Sequence, residues 1–202
     1  MGNTLDRMVA TLKKINGYPE QFKKVFGTDV TKEGVAKAIA SFERTLLCGN
    51  SAFDKFEAGD KKALSESAQR GVVLFRGKAN CVKCHTGFNF TDEGYHNIGV
   101  GMDKPNPDLG RYSVTKKEQD KGVFKTPTLR NIAASAPYYH DGSAKILEDM
   151  IDFYNKGGIK NPNLSKEMRP LNLTAQEKSD LVAFLKSLGC PDLKVAAPAL
   201  PK

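Results

Sequence analysis

Cys81-Val82-Lys83-Cys84-His85 is the stretch with the clearest chemistry in this sequence. Two thiols three positions apart are shared by zinc sites, dithiol redox pairs and porphyrin thioethers. A histidine directly after the second cysteine narrows the reading to covalent attachment of a c-type haem. In that reading Cys81 and Cys84 carry the thioethers and His85 becomes the proximal ligand of the iron. A zinc site or a dithiol pair is the weaker alternative.

A haem iron takes a second axial ligand or keeps that position open. The candidates are Met102, Met150, Met168, His96, His140 and Tyr154. Methionine suits a high-potential carrier, histidine lowers the potential, and a tyrosinate favours ferric iron. Met150, Ile151 and Tyr154 share one face of an apolar stripe, where core packing is the ordinary explanation. Met168 precedes Arg169-Pro170 in a loop. Composition and spacing leave the choice among these six open.

The elements that must position these residues read as helices. Leu5, Met8, Val9, Leu12 and Ile15 have helical spacing, with Thr4 as the cap. Tyr18-Pro19 opens a second helix, with Phe22, Val25 and Phe26 on one face. Thr31 caps a third, whose stripe of Val35, Ala38, Ile39, Phe42 and Leu46 continues to about Leu47. A break at Cys48-Gly49-Asn50-Ser51 sets the main boundary near residue 50. Beyond it, Phe53 and Phe56 mark a short helix, and Ser65 caps one that runs to about Arg76 and delivers the chain to Cys81. Residues 86–139 are rich in Gly, Pro, Asn and Asp and lose the helical period. So long a loop is tolerable when it wraps a large cofactor that supplies the missing core. Helical pattern returns with Ile146, Leu147, Met150, Ile151 and Tyr154, ending at Gly157-Gly158. A last helix starts at Thr174 with Glu177 completing a capping box, and buries Leu181, Phe184, Leu185 and Leu188.

The expected fold is therefore all-α. Residues 1–50 form a segment of three short helices, residues 51–190 a cytochrome c-like helical domain with long haem-wrapping loops, and residues 191–202 a flexible tail. A formal net charge of +8 arises from 31 basic and 23 acidic residues. The basic residues are dispersed, which reads as a solvated surface or as steering of an acidic redox partner. No basic-aromatic stripe points to nucleic acid, and no apolar run reaches the ~18 residues of a membrane span. Met1 leads straight into Gly2-Asn3-Thr4 without a signal peptide. Haem c is attached outside the reducing cytoplasm, so the chain is expected to be exported and periplasmic, its signal peptide not in this sequence. Cys48 and Cys190 could pair there or stay as separate buried thiols.

Five further motifs lie around the Cys-x-x-Cys-His stretch: Gly71-Val72-Val73-Leu74-Phe75, Tyr95-His96-Asn97-Ile98-Gly99, Gly110-Arg111-Tyr112, Phe124 through Asn131, and Ala136-Pro137-Tyr138-Tyr139-His140-Asp141-Gly142. In this order the sequence resembles bacterial di-haem cytochrome c peroxidases and the related MauG-type enzymes. The resemblance implies that Cys81–His85 lies in the family's second, C-terminal haem domain, and that residues 1–50 are the end of the first. The peroxidases place a distal methionine fourteen residues after the His-Asp-Gly histidine. Here that position is Tyr154, as in the MauG-type version. The resemblance thus implies a His85/Tyr154 haem. It also implies a calcium ion bound partly through the backbone carbonyls of Ser135 and Pro137. Arg111 and Arg130 would meet haem propionates, since guanidinium matches carboxylate bidentately, and His96 would belong to the haem surroundings.

The first Cys-x-x-Cys-His, the acid over the peroxide-binding haem and the tryptophan between the haems have no counterpart in this sequence. The resemblance accordingly implies the electron-transfer domain of a di-haem, peroxide-dependent oxidoreductase, in which this haem relays or stores oxidising equivalents. A stand-alone mono-haem electron carrier is the alternative, and a mono-haem enzyme whose Tyr154 dissociates is a third reading. The partner would be a small cytochrome or cupredoxin, or a protein substrate, and a homodimer is left open.

Overall fold

A computed structural model describes residues 2–190, 193 and 195–201. The chain forms two compact units that meet in sequence between Leu47 and Cys48. The first holds α1 (Leu5–Lys13), α2 (Gly17–Phe26) and α3 (Lys32–Glu43). Thr4 and Thr31 cap α1 and α3 by accepting from the Arg7 and Gly34 amides. Their small core is Phe22, Val30 and Val35, with Met8, Val9, Leu12, Tyr18 and Phe26 around it. α3 stops at Glu43, short of the expected Leu47, where the chain tightens into turns at Thr45 and Leu46. Its expected buried stripe is only partly buried: Val35 is inside, whereas Ile39, Phe42 and Leu46 are exposed. The small core reaches only the first turns of α3, and the described residues of this unit leave the rest of the stripe uncovered. The tail expected over 191–202 falls partly outside the described residues, and its described part has no helix or strand.

The second unit carries α4 (Ala52–Glu57), α5 (Glu66–Arg76), α6 (Tyr112–Thr115), α7 (Leu147–Lys156) and α8 (Ala175–Lys186). The strands among the described residues are β1 (Tyr95–His96) and β2 (Phe124–Lys125), paired antiparallel with Tyr95 opposite Lys125. The expected Ser65 and Thr174 caps are present, the latter with the Glu177 capping box. Gly157 ends α7 in the left-handed region at φ 86°, which glycine enters without a Cβ clash. The long stretch 86–139 is made of single turns, the β1–β2 ladder and α6. No helix among the described residues is long and apolar enough to cross a membrane.

α5 and α8 form the main packed pair. A Cβ built on Gly71 would overlap the Asp180 carbonyl oxygen, so only glycine lets the backbones come this close. Phe75 and Phe184 meet edge to face below that point, 4.9 Å between centroids, and Phe53 and Phe90 join them. Asp180 is buried on the facing side of α8. It accepts from Arg70 Nε at 2.8 Å and the Arg70 terminal nitrogen at 2.9 Å, from Ser67 Oγ at 2.6 Å, and from Gln176. Cys48 and Cys190 form a disulfide that ties the two ends of the unit together across 142 residues. Next to it the Asn131 amide donates to the Leu188 carbonyl, and the Asn131 side chain accepts from the Cys190 amide.

The Arg70 guanidinium holds the Asp180 carboxyl well below its ordinary value of 3.8, against the opposing effect of burial. A group whose folded pKa is depressed adds stability that is present above its unfolded pKa and is lost as the pH falls below it. Asp180→Asn should therefore cost about 2 kcal/mol at neutral pH. Urea unfolding of the variant should show a shallower loss of stability than wild type below about pH 4; parallel acid profiles would refute this role.

Candidate haem site

Cys81, Val82 and Lys83 form a single 3-10 turn a few residues after the end of α5. Asn80 enters it at φ 54°, and the Cys84 and His85 amides both donate back to the Cys81 carbonyl. This winding puts Cys81, Cys84 and His85 on the wall of one cavity of about 510 Å³. α5 contributes Phe75, α7 contributes Met150, Ile151 and Tyr154, and α8 contributes Leu181 and Leu185. Leu129 and Ile132 close it from the long loop. The volume and the largely apolar lining are those of a site for a flat organic cofactor.

The donor set fits a haem. His85 Nδ1 lies 2.9 Å from the Phe90 carbonyl. A protonated Nδ1 held there leaves Nε2 as the ligand nitrogen, the usual arrangement behind a metal-bound histidine. Burial pushes the His85 imidazole toward its neutral form, the one that binds metals. Neither Cys81 nor Cys84 is in a disulfide. Burial pushes the Cys81 thiol up to about 12 and raises Cys84 as well, with Asp92 adding to the latter. Both are thus uncharged thiols in an apolar wall, poor as thiolate metal ligands. Thr126 Oγ1 is buried on the same wall without a hydrogen bond among the described residues.

Of the six candidate axial ligands, five line the cavity and Met102 does not. Met102 packs instead against the backbone of Gly122. His96 Nε2 is 2.7 Å from Asp92 Oδ2. Burial works to raise that carboxyl, but hydrogen bonds from His96 and the Gly94 amide, with Thr126 nearby, bring it down to about 2. His140 lies flat on Phe124, 3.7 Å between centroids, and is exposed at the rim. Met168 sits on the loop before α8, and Met150 is buried in the core of α7. Tyr154 is one helical turn beyond Met150. Burial and then the nearby Cys81 and Cys84 sulfurs push its phenol up, so it holds its proton here and faces the two thiols.

In the structure neither Arg111 nor Arg130 is among the residues that line the cavity. Arg130 is buried elsewhere: its guanidinium donates to Asp54 at 2.7 Å and to the Phe88 carbonyl at 2.8 Å, and lies 4.2 Å from the Phe88 ring centroid. Arg111 stacks on Tyr95 at 4.0 Å and reaches Asp120 at 3.4 Å. The cations that do line the cavity are Lys83, Lys125 and Arg169, all exposed. Ser135 and Pro137 lie at the rim, and their carbonyls accept no hydrogen bond among the described residues. Leu129, Ile132, Thr126 and Tyr139 were not singled out as site residues from sequence. Their signal was the Thr-Pro-Thr-Leu-Arg and Pro-Tyr-Tyr-His runs, which fix extended and turn backbone without naming a face.

A thioether motif with an adjoining histidine, set on a helical cavity of this size, defines a c-type cytochrome domain. Residues 68–189 match the cytochrome c family model, and residues 1–62 match that of the di-haem cytochrome c peroxidases. The chain belongs to the di-haem cytochrome c peroxidase and MauG-type family. It is 40% identical over 207 residues to the methylamine utilization protein MauG of Methylophilus methylotrophus, covering 100% of this chain and 61% of that protein. It is 42% identical over 201 residues to the cytochrome c551 peroxidase of Nitrosomonas europaea, covering 97% and 55%. The chain thus spans a little over half the length of these curated relatives. A crystal structure of a MauG-like protein associated with microbial copper homeostasis superimposes with a TM-score of 0.76 at 32% identity, over 94% of this chain and 63% of that one.

Because Arg130 is spent on Asp54 and Phe88, Arg130→Ala should destabilise the domain by about 3 kcal/mol. The same variant should retain the wild-type haem content and midpoint potential. A shifted potential in a correctly folded variant would put Arg130 back at a propionate.

Proposed function

We propose that this chain is the electron-transfer haem domain of a di-haem peroxidase- or MauG-type oxidoreductase, with one covalent haem c held between His85 and Tyr154. The observation that carries this reading is the convergence of Cys81, Cys84, His85 and Tyr154 on a single apolar cavity. Bound there, the haem would supply one-electron transfer, and a tyrosinate ligand would bias it toward the ferric state. His85 keeps its ring oriented through the Phe90 carbonyl and presents Nε2. Leu129, Ile132, Leu181 and Leu185 line the cavity with apolar side chains that would keep water from a bound haem. Burial raises the Tyr154 phenol, so the residue alone holds its proton, and a bound cation would favour its release. Lys83, Lys125 and Arg169 are the cations at the cavity available to propionates.

In this reading peroxide is cleaved at another haem, and the present one relays or stores the oxidising equivalent. Electrons pass to a small cytochrome, a cupredoxin or a protein substrate, in the periplasm. The relatives' names support this, since they include a methylamine utilization protein and a cytochrome c551 peroxidase. Ser135 and Pro137 are candidate calcium ligands through their uncommitted carbonyls, in keeping with the oxygen donors that calcium takes.

Two measurements test the reading together. Intact mass of protein matured in a periplasm should exceed the polypeptide mass by one haem, and Cys81→Ala with Cys84→Ala should abolish the increment. Ferric optical and electron paramagnetic resonance spectra should lose the wild-type signal in Tyr154→Phe. An unchanged spectrum would remove Tyr154 from the iron and turn attention to Met150, Met168 or His140.

A further inference from the structure

We infer that Tyr139 is a positioning residue for Tyr154: its hydroxyl fixes the turn of α7 that aims the Tyr154 phenol into the haem cavity. This rests on the reading of Tyr154 as the distal ligand. Tyr139 donates to the Met150 carbonyl at 3.2 Å. In an α-helix that carbonyl is the acceptor for the amide four residues on, which is Tyr154. The bond therefore grips α7 at the carbonyl to which the ligand's own backbone is tied. The Tyr139 ring also packs on Phe153, the neighbour of Tyr154, at 5.2 Å between centroids.

Two more observations set Tyr139 apart from an ordinary wall residue. Its backbone has φ 68°, a left-handed conformation that a bulky aromatic residue rarely adopts. Such a conformation persists only where the surroundings hold it in place, and it recurs at functional positions. The surroundings are visible: the Tyr138 amide donates to the Ala144 carbonyl at 2.8 Å, and the Gly142 amide donates to Tyr139. Tyr139 also lines both the haem cavity and a surface recess of about 330 Å³ beside Asp149, Asp152 and Lys156. It is the residue common to the two linings that also bonds α7.

Tyr138 supplies a matched control. Its hydroxyl donates to the Ile132 carbonyl, also at 3.2 Å, on the wall of the same cavity, and makes no hydrogen bond to α7. The experiment compares the haem-loaded chain with its Tyr139→Phe, Tyr138→Phe and Tyr154→Phe variants by ferric spectra and spectroelectrochemical potential. Tyr139→Phe should lose part of the wild-type ferric signal to a second species, and its potential should move toward that of Tyr154→Phe. Tyr138→Phe should keep the wild-type spectrum and potential. Tyr139→Asn accepts the left-handed backbone and cannot reach Met150, so it should reproduce the Tyr139→Phe change at the iron. Wild-type spectra in both Tyr139 variants, or an equal change in Tyr138→Phe, would overturn the positioning role while leaving Tyr154 as ligand. A silent Tyr154→Phe would overturn both.

Discussion

The structure depends on how closely α5 approaches α8 at Gly71. Any side chain at that position would run into the Asp180 backbone. The contact is locked from both sides, by the Phe75–Phe184 edge-to-face pair within and by the two hydrogen bonds of the Arg70–Asp180 ion pair at the margin. Because Phe75, Leu181 and Leu185 continue from these helices into the cavity wall, the crossing sets the cavity's width. The haem motif follows α5 by only a few residues. Its placement is therefore inherited from the same contact, through the turn at Asn80.

The rest of the domain is fitted around this pair. The Cys48–Cys190 disulfide, the Asn131 bonds and the Arg130–Asp54 pair converge where the ends of the unit meet the long loop. They hold Leu129 and Ile132 against the cavity from behind. A loop of more than fifty residues with little regular structure is sustained in this way by a few side-chain anchors rather than by helices. Arg130 is one of these fasteners, through Asp54 and the Phe88 carbonyl.

Much of this was legible in the sequence, and the physical reasons differ by element. Ser65, Thr174 and Glu177 announce their helices because capping is a local hydrogen-bond problem that neighbouring residues solve. The Cys81–His85 motif is legible because thioether attachment fixes the spacing. The α3 stripe misled, since periodicity records which residues could be buried and not whether a partner is there to bury them. Arg111 and Arg130 each have a carboxylate partner that spacing does not announce, Asp120 and Asp54, because a guanidinium pairs with whichever carboxylate the fold brings within reach. The Tyr139 conformation has no sequence signal, because a left-handed aromatic is imposed by its neighbours. Tyr154 sits between these cases. Its helical spacing reads as packing, the resemblance singles it out, and in the structure it lies on the cavity wall near the two thiols.

The central claim is that His85 and Tyr154, which line one cavity, would together hold the iron of a single haem. A crystal structure of the haem-loaded protein tests it most directly. The account predicts iron bonded to His85 Nε2 and Tyr154 Oη, with thioethers at Cys81 and Cys84. Iron bonded on its distal side to the sulfur of Met150 or Met168, to His140, or to no protein atom would contradict it.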